Sequence, residues 1–185
     1  HNHRVRLLSG GKVSTVAGLY GGFAEGSGPT ARFNQPFGIA VSSGGTAYVA
    51  DRYNHRIRRV RASGKVDTLA GQSKKGHNNG KGSDAQFNEP MALALDRHGN
   101  VVVADLANHR VRRVTPDGVV SDLFGSGVPG HQDGAPTTAK LHFPQGIAVN
   151  SAGHVLVADT SNHRIRTFFG GVVGTLAGSG IGGME

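Results

Sequence analysis

A chain of 185 residues with a formal net charge of +8, no cysteine and 30 glycines has the length of one ordinary domain. The missing thiols exclude disulfides, a cysteine nucleophile and thiolate metal sites, and no apolar run approaches the roughly 18 residues of a membrane helix. Glycine and proline cluster between Val/Ile-rich runs, which predicts an all-β protein of short strands and turns. A soluble one is expected, since His1-Asn2-His3-Arg4 has neither part of a signal peptide.

Taken in chain order, the predicted elements are copies of one unit. Residues 1–18 carry Asn2-His3-Arg4 and then Thr15-Val16-Ala17-Gly18, the second half of a unit. A glycine-rich loop from Gly21 to Pro29 leads through Ala31 and Phe33 to Pro36-Phe37-Gly38-Ile39-Ala40-Val41, read as strand a. Strand b, Thr46 to Asp51, ends in Val49-Ala50-Asp51; strand c begins at His55-Arg56; strand d is Lys65-Val66-Asp67-Thr68-Leu69-Ala70. The same order returns at 90–125 and at 143–178, with the loops between units closing on Ala85-x-Phe87 and Ala139-x-Leu141. Asn-His-Arg begins at Asn2, Asn54, Asn108 and Asn162, at spacings of 52, 54 and 54. Both faces of each unit are partly apolar, as expected of a small sheet packed between two neighbours.

The turn from strand b to strand c places Asp51, Asp105 or Asp159 first and Asn54, Asn108 or Asn162 fourth. An Asp there can accept backbone N–H bonds inside the turn, so Asp105→Ala is expected to cost about 1–2 kcal/mol through lost turn hydrogen bonds. His55, His109 and His163 recur about 54 residues apart, one per unit, which spreads them around the arc instead of converging them on a metal; bonding within the turn is their expected task. Ten of the 20 Lys and Arg residues fall on strand c, among them Arg56, Arg110 and Arg164. These read as solvated strands with a few ion pairs to Asp51, Asp105 or Asp159. Gly125-x-Gly127-x-x-Gly130 and Gly178-x-Gly180-x-x-Gly183 have the spacing of a dinucleotide fingerprint, but no helix pattern follows the first, so phosphate binding is not expected. The loops His77–Asp84 and His131–Gly134 lack the acid spacing of a calcium site. The twelve residues Asp51, Asn54, His55, Arg56, Asp105, Asn108, His109, Arg110, Asp159, Asn162, His163 and Arg164 are therefore assigned to the structure of the repeat, with no catalytic, metal or cofactor site.

Four-stranded units at this period suggest a propeller. The run Val-Ala-Asp-x-x-Asn-His-Arg resembles the NHL repeat family, with Asn-His-Arg standing where that family has Asn-His-Leu. The resemblance covers the whole chain as a single segment: a half blade at 1–18 and blades at 36–71, 90–125 and 143–178. Since the family usually forms six blades, the resemblance implies an incomplete or open arc. It also implies a non-enzymatic protein-interaction or structural scaffold module within a larger multi-domain, surface or secreted protein. The expected partner is a protein, neighbouring blades and flanking domains included, with no cofactor and no membrane insertion. Two alternatives follow from the same family: a single-stranded RNA-binding propeller, for which stacking aromatics are few, and a lyase or lactonase-type enzyme. The inner strand a segments offer the latter no His or carboxylate.

Overall fold

The computed structural model describes residues 2–183. Their strands are β1 (Val5–Ser9), β2 (Lys12–Ala17), β3 (Gly26–Ser27), β4 (Pro36–Val41), β5 (Ala47–Asp51), β6 (Arg56–Val60), β7 (Lys65–Gly71) and β8 (Gly80–Lys81). There follow β9 (Pro90–Leu95), β10 (Val101–Asp105), β11 (Arg110–Val114), β12 (Val119–Phe124), β13 (Pro144–Val149), β14 (Val155–Asp159), β15 (Arg164–Phe169) and β16 (Val172–Ala177).

Among the described residues these make four antiparallel sheets: β1-β2, β4-β5-β6-β7 with β3 added beside β7, β9-β10-β11-β12 with β8 added beside β12, and β13-β14-β15-β16. The added strands come from the loops that lead into each blade, so every lead-in loop folds back onto strand d of the blade it introduces. The loop into the last blade does the same through a single bridge, Gly134 to Val173.

The core lies between the blades. One cluster joins Ile57, Leu69 and Ala70 to Val101, Val103 and Val120 around Phe87. A second joins Val111 and Phe124 to Val155, Val157 and Val173 around Leu141, and a third joins Val5 and Ala17 to Val49, Val60 and Val66 around Phe33. The anchor pairs Ala31/Phe33, Ala85/Phe87 and Ala139/Leu141 are all wholly buried. Each blade thus uses both faces, which is why neither face of its strands alternates cleanly in the sequence. Strand d closes on a glycine that the close approach of its own blade's b-to-c turn demands. At Gly71, with φ of +98°, a Cβ would stand 2.5 Å from the carbonyl oxygen of His55, and L side chains avoid that backbone region.

Candidate functional site

The b-to-c turn is one turn of 3-10 helix, Arg52–Asn54, followed by His55 in the left-handed conformation with φ of 54°. Leu106–Asn108 with His109 and Thr160–Asn162 with His163 repeat it. Each c–d strand pair then carries an irregularity at one place, between Ile57 and Arg58, Val111 and Arg112, and Ile165 and Arg166. A bulge re-aims the next side chain, and here the next residue is an arginine with no exposed surface.

Arg58, Arg112 and Arg166 are completely buried, as are Asp51, Asp105 and Asp159. The guanidinium of Arg58 lies 2.8 Å from Asp51, that of Arg112 2.9 Å from Asp105, and that of Arg166 2.8 Å from Asp159. Asp51 accepts at one oxygen from the Asn54 side chain and Arg58, and at the other from the backbone N–H of Asn34, 17 residues upstream. Asp105 does likewise with Asn108, Arg112 and the N–H of Asn88. Asp159 does so with Asn162, Arg166 and the N–H of His142. Meanwhile Arg58 donates to the carbonyls of Arg32 and Ala24, and Asn54 to that of Gly22, so the network ties the b-to-c turn to the lead-in loop of its own blade. Burying a charge pair is tolerable only when such further bonds are made. Burial still pushes the carboxyl of Asp51 above its usual range and that of Asp105 up to about 6, against the lowering effect of Arg112 and of the bonds from Asn108 and Asn88.

In the last two blades a second acid stands near the arginine, and its origin differs between them. In the last blade it is Asp133 of the lead-in loop, bonded to Arg166 and to Thr175 of strand d. In the middle blade the loop position holds Asn79 and the acid moves to strand d, where Asp122 lies 2.7 Å from Arg112 Nε. In the first full blade Glu25 of the loop accepts from the backbone N–H of Thr68.

Three sequence expectations change here. The Asp carboxylates reach back to the lead-in loop instead of gathering N–H groups within the turn. The strand c arginines divide: Arg56, Arg110 and Arg164 are half-buried and donate to nearby carbonyls, as from Arg110 to Gly125 and Ser126, whereas Arg58, Arg112 and Arg166 are interior. Surface solvation does not describe those three. The histidines bond across blades: the ring Nδ1 of His3, His55 and His109 accepts the backbone N–H of Gln35, Glu89 and Phe143. His163 has no hydrogen-bond partner for its ring among the described residues. Burial holds the His55 and His109 imidazoles below their ordinary value.

The glycine run Gly125-x-Gly127-x-x-Gly130 also has a local explanation, since a Cβ on Gly127 would stand 2.5 Å from the Arg110 guanidinium. Among the described residues no three His, Asp or Glu side chains are placed to hold a metal ion, and no helix is long and apolar enough to cross a membrane. The interior arginines recur seven residues after the Asp of Val-Ala-Asp, but Arg56, Arg110 and Arg164 recur just as regularly five residues after it, so spacing marks both sets and does not say which turns inward.

Blades of four antiparallel strands packed face to face define an open arc of a β-propeller. The NHL repeat model matches residues 33–60 and 141–168, so the chain carries NHL repeats at these two positions. It is 32% identical over 139 residues to the chloroplastic protein SUPPRESSOR OF QUENCHING 1 of Arabidopsis thaliana, covering 74% of this chain and 13% of that protein. It is 34% identical over 99 residues to NHL repeat-containing protein 2 of Bos taurus, covering 52% of this chain and 14% of that one. The chain therefore spans only a small part of these relatives. Among solved structures, an auxiliary nutrient binding protein from Bacteroides thetaiotaomicron superposes with a TM-score of 0.72 at 20% identity, over 94% of this chain and 43% of its own. A virginiamycin B lyase from Staphylococcus aureus does so at 0.61 and 14%, over 95% and 48%. At these identities the structures share the fold with this chain.

Proposed function

We propose that this segment is a non-enzymatic protein-interaction or structural scaffold module, serving within a larger multi-domain, surface-exposed or secreted protein. One observation carries the reading. Of the charged residues that recur from blade to blade, the Asp–Arg pairs of Asp51, Asp105 and Asp159 with Arg58, Arg112 and Arg166 are buried and satisfied by one another and by lead-in carbonyls. They stiffen the blades and are out of reach of a substrate. What faces solvent is the set of lead-in loops and turns, the kind of surface on which a rigid scaffold presents binding residues.

Panning a peptide library against the chain should enrich ligands whose backbone amide shifts map to the loops at 21–28, 75–84 and 129–138. Hydrolysis or ring-opening of lactone or cyclic depsipeptide substrates, with Mg²⁺ supplied, would overturn the non-enzymatic reading. Tight binding of single-stranded RNA that weakens steeply with salt would replace it with the nucleic-acid alternative.

A further inference from the structure

The interfaces on the two sides of the middle blade differ at one place. In the first, Tyr48 pairs across the sheet with Arg59 and Arg59 with Asp67, so the three share one face of their blade. The Tyr48 ring is buried with Leu95, Val101 and Val114 of the middle blade, and Asp67 holds Arg59 at 2.8 Å. One blade further on, the same register positions carry Val102, Arg113 and Ser121. The ring has become an isopropyl group and the acid a hydroxyl. Among the described residues the Arg113 side chain has no hydrogen-bond or ion-pair partner, and it is exposed.

At this place a cleft of about 280 Å³ opens between the middle and last blades. Val102 and Leu123 line it from the middle blade, and Val149, Val155 and Phe168 from the last. The Phe168 ring is stacked on Phe124 with centroids 5.0 Å apart, which fixes that wall. The polar side is cationic, for Arg97 and Arg113 both line it. Asp96 is the one acid in the lining, and its oxygens already accept from the backbone N–H groups of His98 and Asn100 and from the Asn100 side chain. The lining includes both a-to-b turns, at Arg97 and Gly153, and the c-to-d turn at Gly170. The cleft therefore lies at the opposite end of the blades from the lead-in loops.

We infer that this cleft binds a small organic acid, an apolar ring bearing a carboxylate on a short arm, with the ring against Phe168 and Val155 and the carboxylate on the Arg113 guanidinium. Apolar walls with a few placed polar groups are the usual form of a small-molecule site, and this one stands just under the usual range of about 300–1,000 Å³. That size suits a single ring. A guanidinium without an acid of its own matches a carboxylate through two parallel hydrogen bonds, so the ligand replaces what Asp67 supplies to Arg59 in the preceding interface. The site is separate from the loop surface proposed for a partner, and either can fail alone.

The test titrates hydrocinnamate into the ¹⁵N-labelled full chain, with hydrocinnamyl alcohol as the neutral probe and glycyl-glycyl-phenylalanine as a chain terminus of the same chemistry. Saturable amide shifts should appear around Val102, Arg113, Val155 and Phe168. The alcohol should bind at least about tenfold more weakly, because it cannot make the charge-assisted pair. Val102→Tyr and Ser121→Asp each restore the residue of the preceding interface, one filling the cleft and the other pairing Arg113. Each should weaken hydrocinnamate by about tenfold or more, and Ser121→Asp still reads the site if the added ring disturbs the packing. Absence of saturable shifts, equal affinity for acid and alcohol, or binding unmoved by Ser121→Asp overturns the inference. So does a peptide that binds at least as tightly as the free acid, which would make a chain terminus the occupant.

Discussion

The Nδ1 atom of His55 accepts the backbone N–H of Glu89 at 3.2 Å, and both residues hold positive φ, 54° and 56°. Two strained backbones on neighbouring blades thus meet at one hydrogen bond, and the contact recurs between His3 and Gln35 and between His109 and Phe143. A backbone N–H can only donate, so each ring must be unprotonated at Nδ1 for the blades to stay joined there.

That requirement fixes a pH dependence. The His55 and His109 pKa values are lowered in the folded chain by burial, so the unfolded chain binds more protons, and their contribution is present above about pH 6.5 and lost as pH falls through the folded value. Asp105, raised to about 6 by burial against the lowering effect of Arg112, titrates in the same range. His109→Asn separates the two, since Asn tolerates the left-handed region and its carbonyl can accept the same N–H. Urea midpoints between pH 7.5 and 5 should fall less steeply for His109→Asn than for the parent; an identical slope would show that this histidine does not titrate against folding.

Asp105→Asn is expected to destabilise by about 3–5 kcal/mol, because it strands the wholly buried Arg112 without its counter-charge. This exceeds the cost expected from turn hydrogen bonds alone, and Asp105→Ala should now fall in the larger range as well. Equilibrium denaturation in guanidinium measures both. A loss near 1 kcal/mol would mean that Arg112 finds sufficient compensation in Asp122.

Phe87 and Leu141 fill the same place in successive interfaces, so the site accepts either shape. Phe87→Leu should cost under about 1.5 kcal/mol, whereas Phe87→Ala, which leaves a cavity among Ile57, Leu69 and Val103, should cost about 3–5 kcal/mol. Similar midpoints for the two variants would mean that the interface collapses around the gap.

Gly71→Ala combines a left-handed backbone with a methyl group driven against the His55 carbonyl, and should lower the thermal midpoint by several degrees. Gly64→Ala is the control: φ is +82° there too, but the nearest atom to a Cβ is 3.6 Å away. If the two variants melt together, backbone strain alone explains the cost and the close approach adds nothing.

The order of the strands was legible because Val-Ala-Asp, Asn-His-Arg and the pre-strand proline recur in step, and repetition separates signal from local ambiguity. The anchors were legible as well, since Ala-x-Phe stands at a fixed distance before the proline. The partners of those residues were not. Asp51 meets the N–H of Asn34, and His55 that of Glu89, across 17 and 34 residues, and nothing in a turn sequence announces a bond of that span. The interior arginines were obscured differently: Arg-Ile-Arg-Arg reads as a charged strand until the bulge before Arg58 turns one guanidinium inward.

The migrating acid of the blades has a consequence for how such a protein can be enlarged. Because the second carboxylate comes from the lead-in loop for Arg166, at Asp133, and from strand d for Arg112, at Asp122, a graft that took strands a to d alone would leave some guanidinium groups with two acids beyond their strand b Asp and others with that Asp alone. The transferable module therefore runs from the glycine that ends one strand d to the glycine that ends the next, as from Gly18 to Gly71. Duplications that respect those breakpoints would preserve charge balance, and those that cut at the proline would not.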